Sequence, residues 1–114
     1  MVIRSDDCPR RDVCLRDGKG TVNIKDFATK EDMYGHGKMF SQITIEPGCS
    51  IGPHAHEHES ELFYVIAGEG VYNDNGTEVT VGIGDVCICH GGESHWVENR
   101  GTETLKLVAL IILE

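Results

Sequence analysis

From Met39 to the C-terminus, apolar and polar residues alternate in short runs separated by turn residues, the pattern of half-buried strands rather than of helices. Strands are expected at Met39 to Ile45, Ser50 to His56, Glu61 to Ala67, Glu69 to Asp74, Thr77 to Val81, Val86 to Cys89, His95 to Asn99 and Thr104 to Leu113. Residues 1–20 are polar and end in glycine, which predicts an extended arm with one strand around Val13 to Arg16. Asp26 to Tyr34 holds the one short helical turn, closed by Gly35-His36-Gly37. Short strands at regular spacing predict an all-β sandwich or barrel, and eight of them fit a double-sheet jelly roll.

The turns sharpen this picture. Asp74-Asn75-Gly76 lies between two alternating runs, and Asn and Gly tolerate the positive φ that a two-residue hairpin turn demands. Strand parity puts Phe63, Val65 and Ala67 on the face of Glu61, with Leu62, Tyr64 and Ile66 on the other. After Lys106 the final strand is apolar on both faces, so one face is expected in the barrel and the other against a second subunit. A symmetric homodimer is the expectation, with the arm crossing to or covering a neighbouring sheet edge. The division is residues 1–37 as arm and edge strands and 38–114 as barrel, within one domain.

With 114 residues the chain is long enough for one core without staples. A net charge of −9 opposes binding to nucleic acid or to an anionic membrane surface, and leaves a small molecule as the expected partner. Five cysteines (Cys8, Cys14, Cys49, Cys87, Cys89) lack the spacing of a disulfide framework or a zinc knuckle. Free thiols are expected, with Cys87 and Cys89 as small core residues. The N-terminus is charged almost at once and no run reaches the length of a membrane span, so the location is read as cytoplasmic.

The chemistry concentrates in His54-Ala55-His56, Glu61 and His95. At about 3.3 Å of rise per strand residue, His54 and His56 face the same way roughly 6.6 Å apart, within reach of one ion. A carboxylate from the next strand and a third imidazole complete a mixed N/O shell. Such a shell suits one divalent transition metal (Mn, Fe, Ni, Co, Cu or Zn) rather than Ca or Mg. Four protein ligands leave one or two positions open, and an ion there polarises a carbonyl or acidifies a hydroxyl. The ligand is therefore expected to be anionic or oxygen-chelating.

Gly48, His54, His56, Glu61 and Gly68 fall at every fixed position of the first cupin motif. Gly84, Gly92, His95 and Asn99 meet the second, with His90 where that motif usually has proline. The chain thus resembles a small single-domain prokaryotic cupin of the kind labelled oxalate-decarboxylase-like or mannose-6-phosphate-isomerase-like. The resemblance implies a double-stranded β-helix carrying those four metal ligands. It includes decarboxylases, isomerases and dioxygenases, but decarboxylating oxalate cupins carry an arginine where this chain has Ile51.

Two function classes follow: a small metalloenzyme acting on a hydroxy, keto, carboxylate or sugar-like compound, or a non-catalytic metal-containing module that binds or senses one. The resemblance supplies no catalytic acid or base. His58 and Glu59 are expected to be solvated turn residues, His90 an exposed loop residue and Arg100 solvated, while the Asn99 amide anchors a strand end. Met39, Ser41, Gln42, Tyr72 and Cys89 are the expected cavity liners.

Overall fold

The computed structural model describes residues 1–114, and strands dominate it. In chain order they are β1 (Arg10–Val13), β2 (Val22–Asp26), β3 (Gly37–Ile45), β4 (Ser50–Ala55), β5 (Glu59–Ala67), β6 (Glu69–Asp74), β7 (Thr77–Gly82), β8 (Val86–Cys89), β9 (Ser94–Glu98) and β10 (Leu105–Leu113). Two antiparallel sheets result, one ordered β1-β2-β3-β10-β5-β8 and the other β4-β9-β6-β7. The all-β jelly-roll expectation holds.

Period-two patterning sets which side of each strand is inside. In β10, Leu105, Leu107, Ala109 and Ile111 are buried between the sheets, while the intervening side chains point out. In β5, Glu61, Phe63 and Val65 are buried and Tyr64 and Ile66 exposed, as parity requires. Val22, Ile24, Ile43 and Ile45 from one sheet meet Ile51, Tyr72, Val81 and Val97 from the other in one apolar cluster. Asp74 pairs with Thr77 across the hairpin, with Asn75 at φ 48° and Gly76 at φ 106°, the left-handed geometry the turn predicts.

The N-terminal third adds detail that the sequence reading left open. Val22–Asp26, within the region read as arm and edge strands, is a strand; its Val22 and Ile24 are buried and it extends the sheet at β3. The arm strand lies at Arg10–Val13, so Leu15–Asp17 is instead a short 3-10 turn in which Arg16 and Asp17 have φ of 55° and 56°. No helix forms between Asp26 and Tyr34. Hydrogen-bonded turns span 30–35, and the Asp32 carboxylate accepts from the Thr29 backbone and hydroxyl.

The outer face of the larger sheet is apolar over β10, β5 and β8 and turns polar over β3 and β2 at Gln42, Thr44, Asn23 and Lys25. Phe40, Leu110, Leu62 and Ile88 stand in one cross-strand row, with Val108, Tyr64 and Val86 in the next. Phe40, Tyr64, Val86 and Ile88 are all exposed. No helix is long and apolar enough to cross a membrane.

Candidate metal centre

The two sheets bring His54, His56, Glu61 and His95 together between them, with one potential ligand atom from each lying within 4.8 Å of the others. His54 lies on β4 directly opposite His95 on β9, and His56 follows the end of β4. Glu61 reaches across from β5, in the other sheet. His56, Glu61 and His95 are buried.

The imidazoles are aimed by their outer nitrogens. Nδ1 of His54 donates to the Gly52 carbonyl oxygen at 2.8 Å, and Nδ1 of His56 donates to Oε2 of Glu59 at 2.7 Å. The Tyr72 hydroxyl lies 2.8 Å from Nδ1 of His95, and the Phe63 ring stacks on that imidazole at 5.4 Å and 9°. With Nδ1 so engaged, a neutral ring turns an Nε2 lone pair inward. Nε2 of His95 then lies 3.0 Å from that of His54 and 3.1 Å from that of His56. Oε1 of Glu61 is 3.1 Å from Nε2 of both His56 and His95 and 3.6 Å from that of His54. Four electron-pair donors packed this tightly in a dry interior repel one another unless a cation lies among them. The residues present fit a transition-metal ion, whose ligating histidines generally carry such outer hydrogen bonds.

The titration behaviour has the same origin. When no cation lies among the donors, a proton on Nε2 turns an imidazole from lone-pair donor into hydrogen-bond donor; burial pushes the Glu61 carboxyl up, but such bonds from His54, His56 and His95 outweigh it and hold the group well below the usual carboxylate range. The hydrogen bond to Glu61 raises His56, whereas burial lowers His95. Burial also raises the Tyr72 phenol, which stays protonated.

Several expectations about surrounding residues need correction. Glu59 is not a solvated turn residue: it opens β5, only 11% of its side chain is exposed, and it links His56 to Lys38, whose ammonium lies 3.1 Å from its other oxygen. His58 is exposed and pairs with Glu114, and His90 is exposed and pairs with Glu93. Arg100 is tied to Glu78 and Glu98 and lies 5.6 Å over the Trp96 ring. The Asn99 amide does anchor a strand end, donating to the carbonyls of Ile45 and Glu103.

A cavity of about 120 Å³ opens onto His54, His56 and Glu61. Of the expected liners only Met39 borders it; Ser41 instead donates to Asp26, and Tyr72 stands behind His95. The remaining wall is Arg11, Leu15, Arg16, Ile24, Ile51 and Ile111. Sequence reasoning passed over the arm and β2 here, although the alternation Val22-Asn23-Ile24 was a usable strand signal. Apart from the histidines and Glu61, arginines are the only ionisable groups in this wall, and they remain charged throughout the physiological range.

The chain belongs to the cupin family: the model of the cupin domain matches residues 41–111. It is 43% identical to the "Oxalate-binding protein" of Thermotoga maritima, over 99% of this chain and 94% of that protein. The crystal structure of a predicted oxalate decarboxylase from Thermotoga maritima superposes with a TM-score of 0.96 at 41% identity, covering 100% of both chains. The polyketide cyclase RemF of Streptomyces resistomycificus shares the fold alone, with a TM-score of 0.80 at 17% identity over 99% of this chain and 78% of that one.

Proposed function

We propose that this cupin holds one divalent transition metal through His54, His56, Glu61 and His95 and binds a small oxygen-chelating anion, a carboxylate above all, at the open side of that ion. The convergence of four buried or nearly buried donors, three of which line a small cavity, carries this reading. A bound divalent ion supplies Lewis-acid polarisation to an oxygen ligand. Three neutral imidazoles and one carboxylate leave the site net positive, which draws an anion into a chain of charge −9. The relative named for oxalate binding supports a compact carboxylate as the ligand.

A metalloenzyme of the decarboxylase, isomerase or dioxygenase type is the second reading. The cavity wall offers no free general acid or base beside the proposed ligands, so any difficult step falls to the metal and its partner molecules. Loading the metal-free protein separately with Fe(II), Mn(II), Ni(II) and Zn(II) and screening small hydroxy, keto and carboxylic acids separates the readings. Tight binding with no turnover supports the binding module. Turnover with zinc in the absence of air identifies a non-oxidative enzyme, since zinc has no redox change available.

The protein is further proposed to act as a cytoplasmic homodimer. Five unpaired cysteines support the location, and the apolar outer rows of the larger sheet support the assembly.

A further inference from the structure

Two arginines of the N-terminal arm, Arg11 and Arg16, line the metal-site cavity. Arg11 is neutralised: its Nη1 donates to Oδ2 of Asp26 at 2.8 Å, and the other oxygen of Asp26 accepts from Ser41 at 2.7 Å. Arg16 has no carboxylate partner and makes no side-chain hydrogen bond, although the chain has 19 acidic residues and a net charge of −9. The rest of the wall above the histidines and Glu61 is apolar: Leu15, Ile24, Met39, Ile51 and Ile111.

Arg16 is held there at some conformational expense. It and Asp17 are consecutive non-glycine residues in the left-handed region, with φ of 55° and 56°. Side chains other than glycine rarely adopt that conformation, and surrounding structure must enforce it. The enforcing contact is backbone on backbone. A Cβ on Gly52 would lie 2.0 Å from the Arg16 carbonyl oxygen, and one on Gly18 would lie 2.2 Å from that of Ser50. Ser50 also donates its backbone N–H to the Lys19 carbonyl at 2.9 Å and accepts from the Lys19 N–H at 2.8 Å. The arm is thus seated on β4 at Gly52, the residue whose carbonyl aims His54.

We propose that Arg16, backed by the Asp26-bound Arg11, is the second anchor for a compact dianion whose first anchor is the metal site. The arm, not the barrel, then selects the ligand. This inference rests on the metal reading above. A divalent ion with Glu61 leaves one positive charge, the Arg11–Asp26 pair adds none, and Arg16 adds one. The cavity therefore balances two negative charges. A volume of about 120 Å³ is well under the roughly 300–1,000 Å³ of pockets for drug-sized ligands, so the dianion has only a few heavy atoms. A short dicarboxylate, one end on the metal and the other on a guanidinium, meets both conditions. The planar N–H fork of arginine matches a carboxylate.

The test titrates Co(II) alone into the metal-free protein, and then oxalate and acetate separately into the Co(II)-loaded, desalted protein, by calorimetry. Arg16→Gln removes the charge while keeping a long polar side chain at an exposed position. It should leave Co(II) affinity and acetate binding unchanged while weakening oxalate by about 10- to 100-fold, the span for losing a charge-assisted hydrogen bond. Arg16→Lys, which keeps the charge, should recover part of the loss, and the salt dependence of oxalate binding should be shallower in Arg16→Gln than in the wild type. Oxalate affinity unchanged in Arg16→Gln, or an equal loss of acetate, overturns the anchor with the metal site left intact. A wild-type protein that takes up no Co(II) overturns the metal reading itself, and the anchor with it.

Discussion

Nδ1 of His56 lies 2.7 Å from Oε2 of Glu59, three residues along the chain and on the far side of the turn that leads from β4 into β5. Burial pushes the Glu59 carboxyl up, but hydrogen bonds from His56 and Lys38 outweigh that effect and hold it below its ordinary range. The carboxylate stays ionised at neutral pH, fixing the His56 ring with Nε2 inward. Glu59→Ala should therefore reduce metal affinity by about 10- to 100-fold, as loss of an outer hydrogen bond to a ligating histidine does. Glu59→Gln, which retains an acceptor oxygen, should lose less, and His58→Ala should bind metal like the wild type. Competition with a chromophoric chelator measures all three.

Single alanine substitutions at His54, His56, Glu61 and His95 should each abolish tight binding, with the wild type taking up one ion per chain in elemental analysis. Metal at about 100 times its dissociation constant should stabilise the wild type by about 2.7 kcal/mol. In a thermal melt the four variants should show none of that increment. A metal-dependent rise in Tm that survives His95→Ala would place the ion elsewhere.

Tyr72→Phe keeps the ring between the sheets and removes only the hydroxyl that lies 2.8 Å from Nδ1 of His95. Metal affinity should fall by about tenfold or more. The metal-free protein should also lose about 1–3 kcal/mol in urea unfolding, because buried Nδ1 of His95 is left without a partner. A large loss of metal-free stability with unchanged metal affinity would show the tyrosine to be a packing residue only.

Leu110 sits at the centre of the row Phe40–Leu110–Leu62–Ile88 on the outer face of the larger sheet. Multi-angle light scattering should report a dimer for the wild type at micromolar concentration. Leu110→Glu should shift it to monomer, since an unpaired charge in the middle of an apolar interface costs several kcal/mol. A wild-type monomer would leave this apolar face without the proposed partner.

Burial pushes the Cys87 and Cys89 thiols up to about 11 from an ordinary 9.0. The folded state then keeps protons that the unfolded state releases, so between those values stability falls as pH rises. Equilibrium unfolding from pH 8 to 10.5 should show this decline, with a shallower slope in Cys87→Ala. At pH 8 a thiol reagent should label Cys14, which is exposed, long before Cys87 or Cys89. Rapid labelling of Cys87 in the native protein would contradict its burial.

Much of the molecule was already written in the chain. Alternation of apolar and polar residues fixes which face of each strand is buried, because successive side chains must point to opposite sides. The Asn75-Gly76 turn fixes the β6–β7 register through the positive φ it permits. The spacing of His54, His56, Glu61 and His95 fits known cupin motifs, and the extended backbone carried one residue past β4 turns both histidines to one side. What remained illegible depends on contacts between residues far apart or on backbone geometry. Glu59 looks like any acidic turn residue until the bend after His56 brings its carboxylate onto Nδ1. The polar, extended arm gives no sign of where it lies until Gly18 and Gly52 let two backbones touch and bring Arg16 to the wall of the cavity onto which His54 and His56 open. Pattern along one strand reports its own burial, but only packing of one segment upon another decides which charges face a cavity.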